Sequence, residues 1–459
     1  MILKTKTLIS VNFLSPSFQG GSGRGRFLGG LLLLLCLTFQ ANGGISDFDV
    51  LGFGAVGDGK TDNTKAFQTA LNKAAEKGGI VHVPAGKFLF KGVLEIPRGV
   101  ALQGIAEGPN CIYYDIGTIL MPTAGRDQEN SAPFITLRSS STLRGLGIFY
   151  PEQKPEDIRP YPYCIQMTGR TGNVIDVAIA NAYNGIDCGS VYNEGQNLRG
   201  INLCALRRGI YIDRSSDIGR LENIHIHSVA WWDINFPERM SEQIKLINDY
   251  TLANLEGFII GRCDWEYMVN CFVIWAKVGF RFIETKGDPV GNDPQANILI
   301  TQSGSDVGPL AVVVEKTQYH CGISFENCQF MDGILIEEEN RGPIKLTNCG
   351  FWGWAESLGG THIVNKGEGT VYLTACNFNA KNWIECHWKP EIPFIRMEKG
   401  TLQIMNSRFQ DNGNTPNAHI YLGEKVKSAV IIGNSVEGGD LHVSNKSKGD
   451  VQVIGNVAE

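Results

Sequence analysis

The chain has 459 residues, 43% of them hydrophobic, with 55 glycines and a formal net charge of −6. That is ample for a large core, and no dominant basic patch offers nucleic acid a bulk electrostatic attraction. Glycine at this level without a three-residue period excludes collagen and fits a fold of many turns.

Residues 1–43 read as a signal peptide rather than as part of the fold. Lys4, Lys6, Arg24 and Arg26 precede an apolar run from Phe27 to Phe39. Such a run is too short to span a bilayer and suits a signal h-region. Ala41-Asn42-Gly43 places small residues at positions −3 and −1 of a cleavage site. The expected product is a secreted or periplasmic domain over residues 44–459, with no stable membrane anchor after cleavage.

The cap and first strands occupy residues 44–98. Asp58-Gly59 marks a turn, and Asp62, Asn63 and Thr64 offer helix N-cap side chains. Ala66, Phe67, Ala70, Leu71, Ala74 and Ala75 form one apolar stripe on a helix, which Gly78-Gly79 ends. Ile80 to Val83 and Lys87 to Phe90 read as strands around the turn Pro84-Ala85-Gly86. Such a unit plugs the open end of a stack of strands. The stretch GAVGDGKTDNTKAFQTAL…GGIVHVPAGKFLFKG resembles the leading segment of the pectate-lyase-like superfamily, in the group related to glycoside hydrolase family 28. The resemblance implies an all-β fold: a single-stranded right-handed parallel β-helix with an N-terminal helical cap. It also implies a carbohydrate substrate, without specifying the reaction.

Repeats follow the cap. NVIDVAIANAYNGIDC (173–188), NLRGINLCALRRGIYI (197–212) and RLENIHIHSVAWWDIN (220–235) begin about 23 or 24 residues apart. CGISFENCQF (321–330), GPIKLTNCGF (342–351) and GTVYLTACNF (369–378) continue the series. Each pairs a period-2 strand with a small or Asn residue at a bend and a second short strand. Repeats of this length and content indicate a parallel solenoid, in which each coil buries its apolar face against its neighbours. No 3.6-residue stripe is evident after Ala75. The segment 237–257 interrupts the rhythm, and long excursions from a solenoid commonly wall a groove.

Of the twelve cysteines, eleven follow the predicted cleavage site, an odd number that argues against a complete disulfide framework. Cys328, Cys349 and Cys376 recur at one point of three repeats and are expected as stacked core thiols. A Cys263–Cys271 disulfide is the alternative. No CxxC or Cys/His spacing marks a zinc site.

Candidate chemistry clusters after the insertion. If Arg262-Cys263-Asp264-Trp265-Glu266-Tyr267 is extended, Asp264 and Glu266 point the same way, and two carboxylates are what glycoside hydrolysis needs. Asp233 and Glu284 are further acid or base candidates. Trp231, Trp232, Trp265 and Tyr267 offer sugar-stacking faces. His225 and His227 are expected to face outward, and Arg262 and Arg281 to hold hydroxyls or an acid group. No metal ligand set stands out and no cofactor is expected, apart from calcium if the enzyme is a lyase. The Asn-Thr-Asp, Asp-Asp, Gly-His-Gly and Arg-Ile-Lys segments of polygalacturonases are absent, as is the Asp-Pro-His motif of alginate epimerases, so no catalytic residue transfers from them. The expected function is a glycoside hydrolase cleaving a polysaccharide in a lateral groove. A polysaccharide lyase or uronate C5-epimerase, using Lys277, Arg281 or Lys245 among its cations, and a non-catalytic glycan-binding β-helix are the alternatives.

Overall fold

The computed structural model describes residues 47–105, 116–231, 241–286, 295–353, 356–379, 391–411 and 417–459. The predicted signal peptide, Trp232 and Asp233 lie outside these residues. Ile45–Glu459 forms one compact unit. Among the described residues all strands but two short ones, Gly169–Arg170 and Asn193–Glu194, join in one large parallel sheet wound into coils of three faces. The coils are right-handed, the hand that connections between parallel strands almost always take.

On the first face, alternate residues point inward and stack coil on coil. Leu198 pairs with Leu221, Leu221 with Met268, Met268 with Ile300 and Ile300 with Phe325. All five are fully or almost fully buried. The chain then turns through one left-handed residue. Asp176, Asn223, Asn270, Asn327, Asn348 and Asn406 take positive φ there, as do Gly145, Gly200 and Gly433. Asn, Asp and Gly tolerate that region best, which is why the repeats carry them at the bend. Neighbouring amides form a ladder: Asn270 Nδ2 donates to Asn223 Oδ1 at 2.8 Å and Asn348 Nδ2 to Asn327 Oδ1 at 2.6 Å.

The residue after the bend points inward and is small. Cys271, Ser303, Cys328, Cys349, Cys376 and Ser407 stack there, with Ser303 Oγ accepting the Cys271 amide at 3.0 Å. The described cysteines are all free, so the Cys263–Cys271 disulfide does not form. Two residues further on, Phe351 stacks on Phe378 at 4.7 Å between ring centroids and Phe378 on Phe409 at 5.1 Å.

Helix α1 (Thr64–Ala75) closes the N-terminal end with Phe67, Ala70, Leu71 and Ala74 buried. Asp62 Oδ1 caps it by accepting the Thr64 amide at 3.1 Å. Asn63 instead ties down the preceding loop, accepting the Val56 amide at 2.7 Å and donating to Thr61 O at 2.7 Å. The insertion holds a second helix, α2 (Ser241–Asn254). Its inner face is short: Ile247 is buried, and Ile244 and Tyr250 are partly buried against the same cluster as Leu206, Ala230 and Trp231. So short a stripe, within polar sequence, left no long amphipathic signal.

Candidate functional site

The third face positions the candidate site. Along it Ile165, Ile186, Ile210, Phe258 and Phe280 stack inward in register. Gln166, Asp187, Tyr211, Ile259 and Arg281 form the next column, on the outer side. Within these strands a glycine stands just before each of the last four inward residues: Gly185, Gly209, Gly257 and Gly279. A Cβ on Gly185 would lie 2.4 Å from the Gly209 carbonyl oxygen, and one on Gly209 only 2.2 Å from that of Gly257. The backbones approach so closely at this corner that no side chain fits.

A cleft of about 380 Å³ opens on this face, lined among others by Tyr163, Arg208, Tyr211, Asp213, Arg214, Glu256, Arg281, Glu284, Lys286 and Glu315. Glu256 opens the strand just after α2, so the insertion borders the cleft. Arg281 is bound by Glu256 and by Glu315, whose Oε1 accepts Nε at 2.8 Å. Burial opposes its charge, but the two carboxylates outweigh burial and raise its pKa. Glu284 accepts Lys316 Nζ at 2.5 Å and Gln295 Nε2 at 3.3 Å at the rim.

Asp213 is 1% exposed and saturated with donors. Its Oδ1 accepts the amides of Arg214 at 2.7 Å and Arg262 at 2.8 Å together with the Thr285 hydroxyl, and its Oδ2 accepts the Tyr211 hydroxyl at 2.7 Å. Burial first, then the Asp213 charge, push the Tyr211 pKa up. Burial and then the charge of Asp187 do the same for Tyr163, against the opposing charge of Arg208. Both side chains are therefore protonated phenols at neutral pH. Arg214 spans the cleft floor with donors only to carbonyls, those of Gly189 at 3.0 Å, Ser190 at 3.1 Å and Lys286 at 3.0 Å.

The structure brings Arg281 and Glu284 into this cleft and leaves most of the other predicted residues out. Asp264 and Glu266 do not share a direction, because Trp265 takes φ 57° and breaks the alternation between them. Glu266 points into the coil interior, 0% exposed, with Gln196 Nε2 at 3.1 and 2.9 Å from its two oxygens. Burial pushes its pKa up to about 8. Asp264 stays near the surface, paired with Arg262 at 2.7 Å and bonded by Gln318 at 2.8 Å. Arg262 is buried and structural, donating to Ser215 O at 2.6 Å.

Trp265 is 54% exposed, whereas Trp231 is fully buried beside α2. Tyr267 is partly buried on the first face beside Arg220. Ile224 and Ile226 point inward as expected, but the histidines beside them are largely covered. His227 is 6% exposed, contacts Asn202 through Nε2, and is held neutral by burial and by His225, with its pKa pulled down to about 3. The register puts Phe272, not Asp264, beside His225. Among the described residues no three His, Cys, Asp or Glu side chains converge as metal ligands.

Tyr163, Arg208, Tyr211, Asp213, Arg214, Glu256 and Glu315 were missed. A signal for one of them, Tyr211, existed. Aligning the repeats on the glycines gives GID, GIY, GFI and GFR, and the third position of each triplet is the outer column.

Residues 48–118 match the family described as rhamnogalacturonase A/epimerase, pectate lyase-like. A polygalacturonase of Prunus persica is 33% identical over 108 residues, covering 22% of this chain and 26% of that protein. Mannuronan C5-epimerase AlgE3 of Azotobacter vinelandii is 49% identical over 74 residues, covering 14% of this chain and 4% of the other. The chain thus spans only a small part of these relatives' length. Among solved structures, the AlgE4 A-module of the same organism covers 90% of this chain and 99% of its own at 12% identity, with a TM-score of 0.46. The leading segment is thus that of the pectate-lyase-like family, and the coil that follows is a parallel β-helix.

Proposed function

We propose that the protein is a carbohydrate-active enzyme that holds a polysaccharide along the third-face cleft and cleaves it by hydrolysis. The observation that supports this reading is the convergence of carboxylates, cations and two protonated phenols in one cleft beside the insertion. Glu256 and Glu315 are committed to Arg281, and Asp213 to its donors. Glu284 is paired too, with Lys316, but it stands partly exposed at the rim, and we assign it as the base that takes a proton from water. Tyr211, once a bound sugar oxygen replaces Asp213 Oδ2 as the acceptor of its hydroxyl, is assigned as the proton donor in the same cleft. Arg208, Arg214 and Lys286 suit a substrate that carries carboxylate groups of its own. Polygalacturonase and epimerase relatives support a sugar substrate of that kind.

The cations favour a second reading, proton abstraction by Glu284 beside a uronate carboxylate in a lyase or epimerase, with Arg208, Arg214 and Lys286 neutralising the acid group and a protonated phenol returning a proton. Incubation with neutral, uronic and sulfated polysaccharides separates the two. New reducing ends alone mark hydrolysis. Reducing ends with ultraviolet absorbance mark elimination, and an altered uronate ratio without either marks epimerisation. Glu284→Gln is expected to lower kcat about a hundredfold or more at unchanged melting temperature. Full activity in that variant and in Tyr211→Phe overturns the assignment. Export is part of the same proposal, and N-terminal sequencing of protein recovered from the medium tests cleavage after Gly43.

A further inference from the structure

The bend between the first and second faces carries a notch that the cleft does not use. In coils farther along the helix this corner is filled, as where Asn327 and Asn348 bond side chain to side chain. Asp176, Gly200, Asn223 and Asn270 occupy it in four successive coils. Gly200 has no side chain, so the column is interrupted between Asp176 and the Asn223–Asn270 amide pair. The result is a hollow of about 510 Å³, within the range of small-ligand sites. Arg199, His225 and Phe272 complete its walls.

The lining is unusual in what it leaves unmade. Asp176 and Arg199 border one hollow, yet among the described residues neither has an ion-pair partner. The His225 ring stacks on His227 at 4.0 Å and meets the edge of Phe272 at 5.4 Å, giving one aromatic wall. Its Nε2 is buried and has no hydrogen-bond partner. Burial pulls the His225 pKa down, so the ring is neutral at pH 7. A carboxylate, a guanidinium and two amides around an aromatic wall match the alternating donors and acceptors of sugar hydroxyls. An anion is disfavoured by Asp176 and by Glu222 in the next coil, and a metal ion by Arg199.

We propose that this notch is a second carbohydrate-binding site that takes a pyranose unit of a neutral glycan, on a different corner of the coil from the cleft. It does not depend on the reaction in the cleft. The test is affinity electrophoresis of the full protein in gels containing a neutral polysaccharide: xylan, glucomannan or hydroxyethyl cellulose. Gly200→Asn refills the amide column. Its Cβ would meet Asp176 Oδ1 at 2.6 Å, the far end of a flexible side chain, so the fold accommodates it while the site closes. The wild type is expected to be retarded by at least one of the three gels. Gly200→Asn and Asp176→Ala should weaken that retardation about tenfold, the loss of one or two hydrogen bonds. No retardation in any gel, or full retardation of Gly200→Asn at wild-type melting temperature, overturns the proposal.

Discussion

The coils from Cys321 onward and those around the cleft use one backbone for different ends. In the later coils the same residue types return at the same points: Cys328, Cys349 and Cys376 after the bend, and Phe330, Phe351, Phe378 and Phe409 two positions on. In the cleft coils the inner column is as regular, but the outer column changes from Asp187 to Tyr211 to Ile259 to Arg281. A solenoid needs likeness only where neighbours stack inside, so variation outside costs little stability and is where chemistry can be placed.

The sharpest way to break the regular half is Phe351→Ala. It removes a ring packed between Phe330 and Phe378, and the expected loss is about 3–5 kcal/mol, read as a lower denaturation midpoint. In the cleft half the interior itself departs from the rule at Glu266. Its folded pKa of about 8 lies above the ordinary glutamate value of 4.5. Between those values the folded state keeps a proton that the unfolded chain has released. Stability therefore falls as pH rises from about 4.5 to 8, at up to about 1.4 kcal/mol per pH unit. Glu266→Gln should flatten that decline and leave the variant more stable than the wild type at pH 8. A decline of the same slope in both would show that Glu266 is not its source.

Gly209→Ala tests the corner beneath the cleft. A methyl 2.2 Å from the Gly257 carbonyl oxygen must push two coils apart, at about 1–3 kcal/mol, and should disturb Tyr211. The smallest effect is a gain. Ala375 sits at the bend with φ 53°, between Asn348 and Asn406 in the same column. Ala375→Asn relieves a left-handed alanine and extends the amide ladder, and should stabilise by about 1 kcal/mol.

The fold was legible because periodicity reports which side of a strand is buried, and stacking repeats that report in every coil. The bend asparagines, the cysteine column and α1 were readable for the same reason. The site was less so. Asp264 and Glu266 looked like partners only on the assumption of an extended chain, and one left-handed tryptophan undid it. α2 escaped notice because its buried face is so short. The cleft residues come from five separate coils, and only their register, measured from the corner glycines, shows them as neighbours.

The free thiols of the core carry a practical consequence. Cys271, Cys328, Cys349 and Cys376 are buried and unpaired, and the other described cysteines are unpaired as well. No covalent cross-link has to form for these coils to close. The coils that hold them should accordingly form as well in a reducing bacterial cytoplasm as in an oxidising export route, and dithiothreitol should leave their unfolding transition where it was.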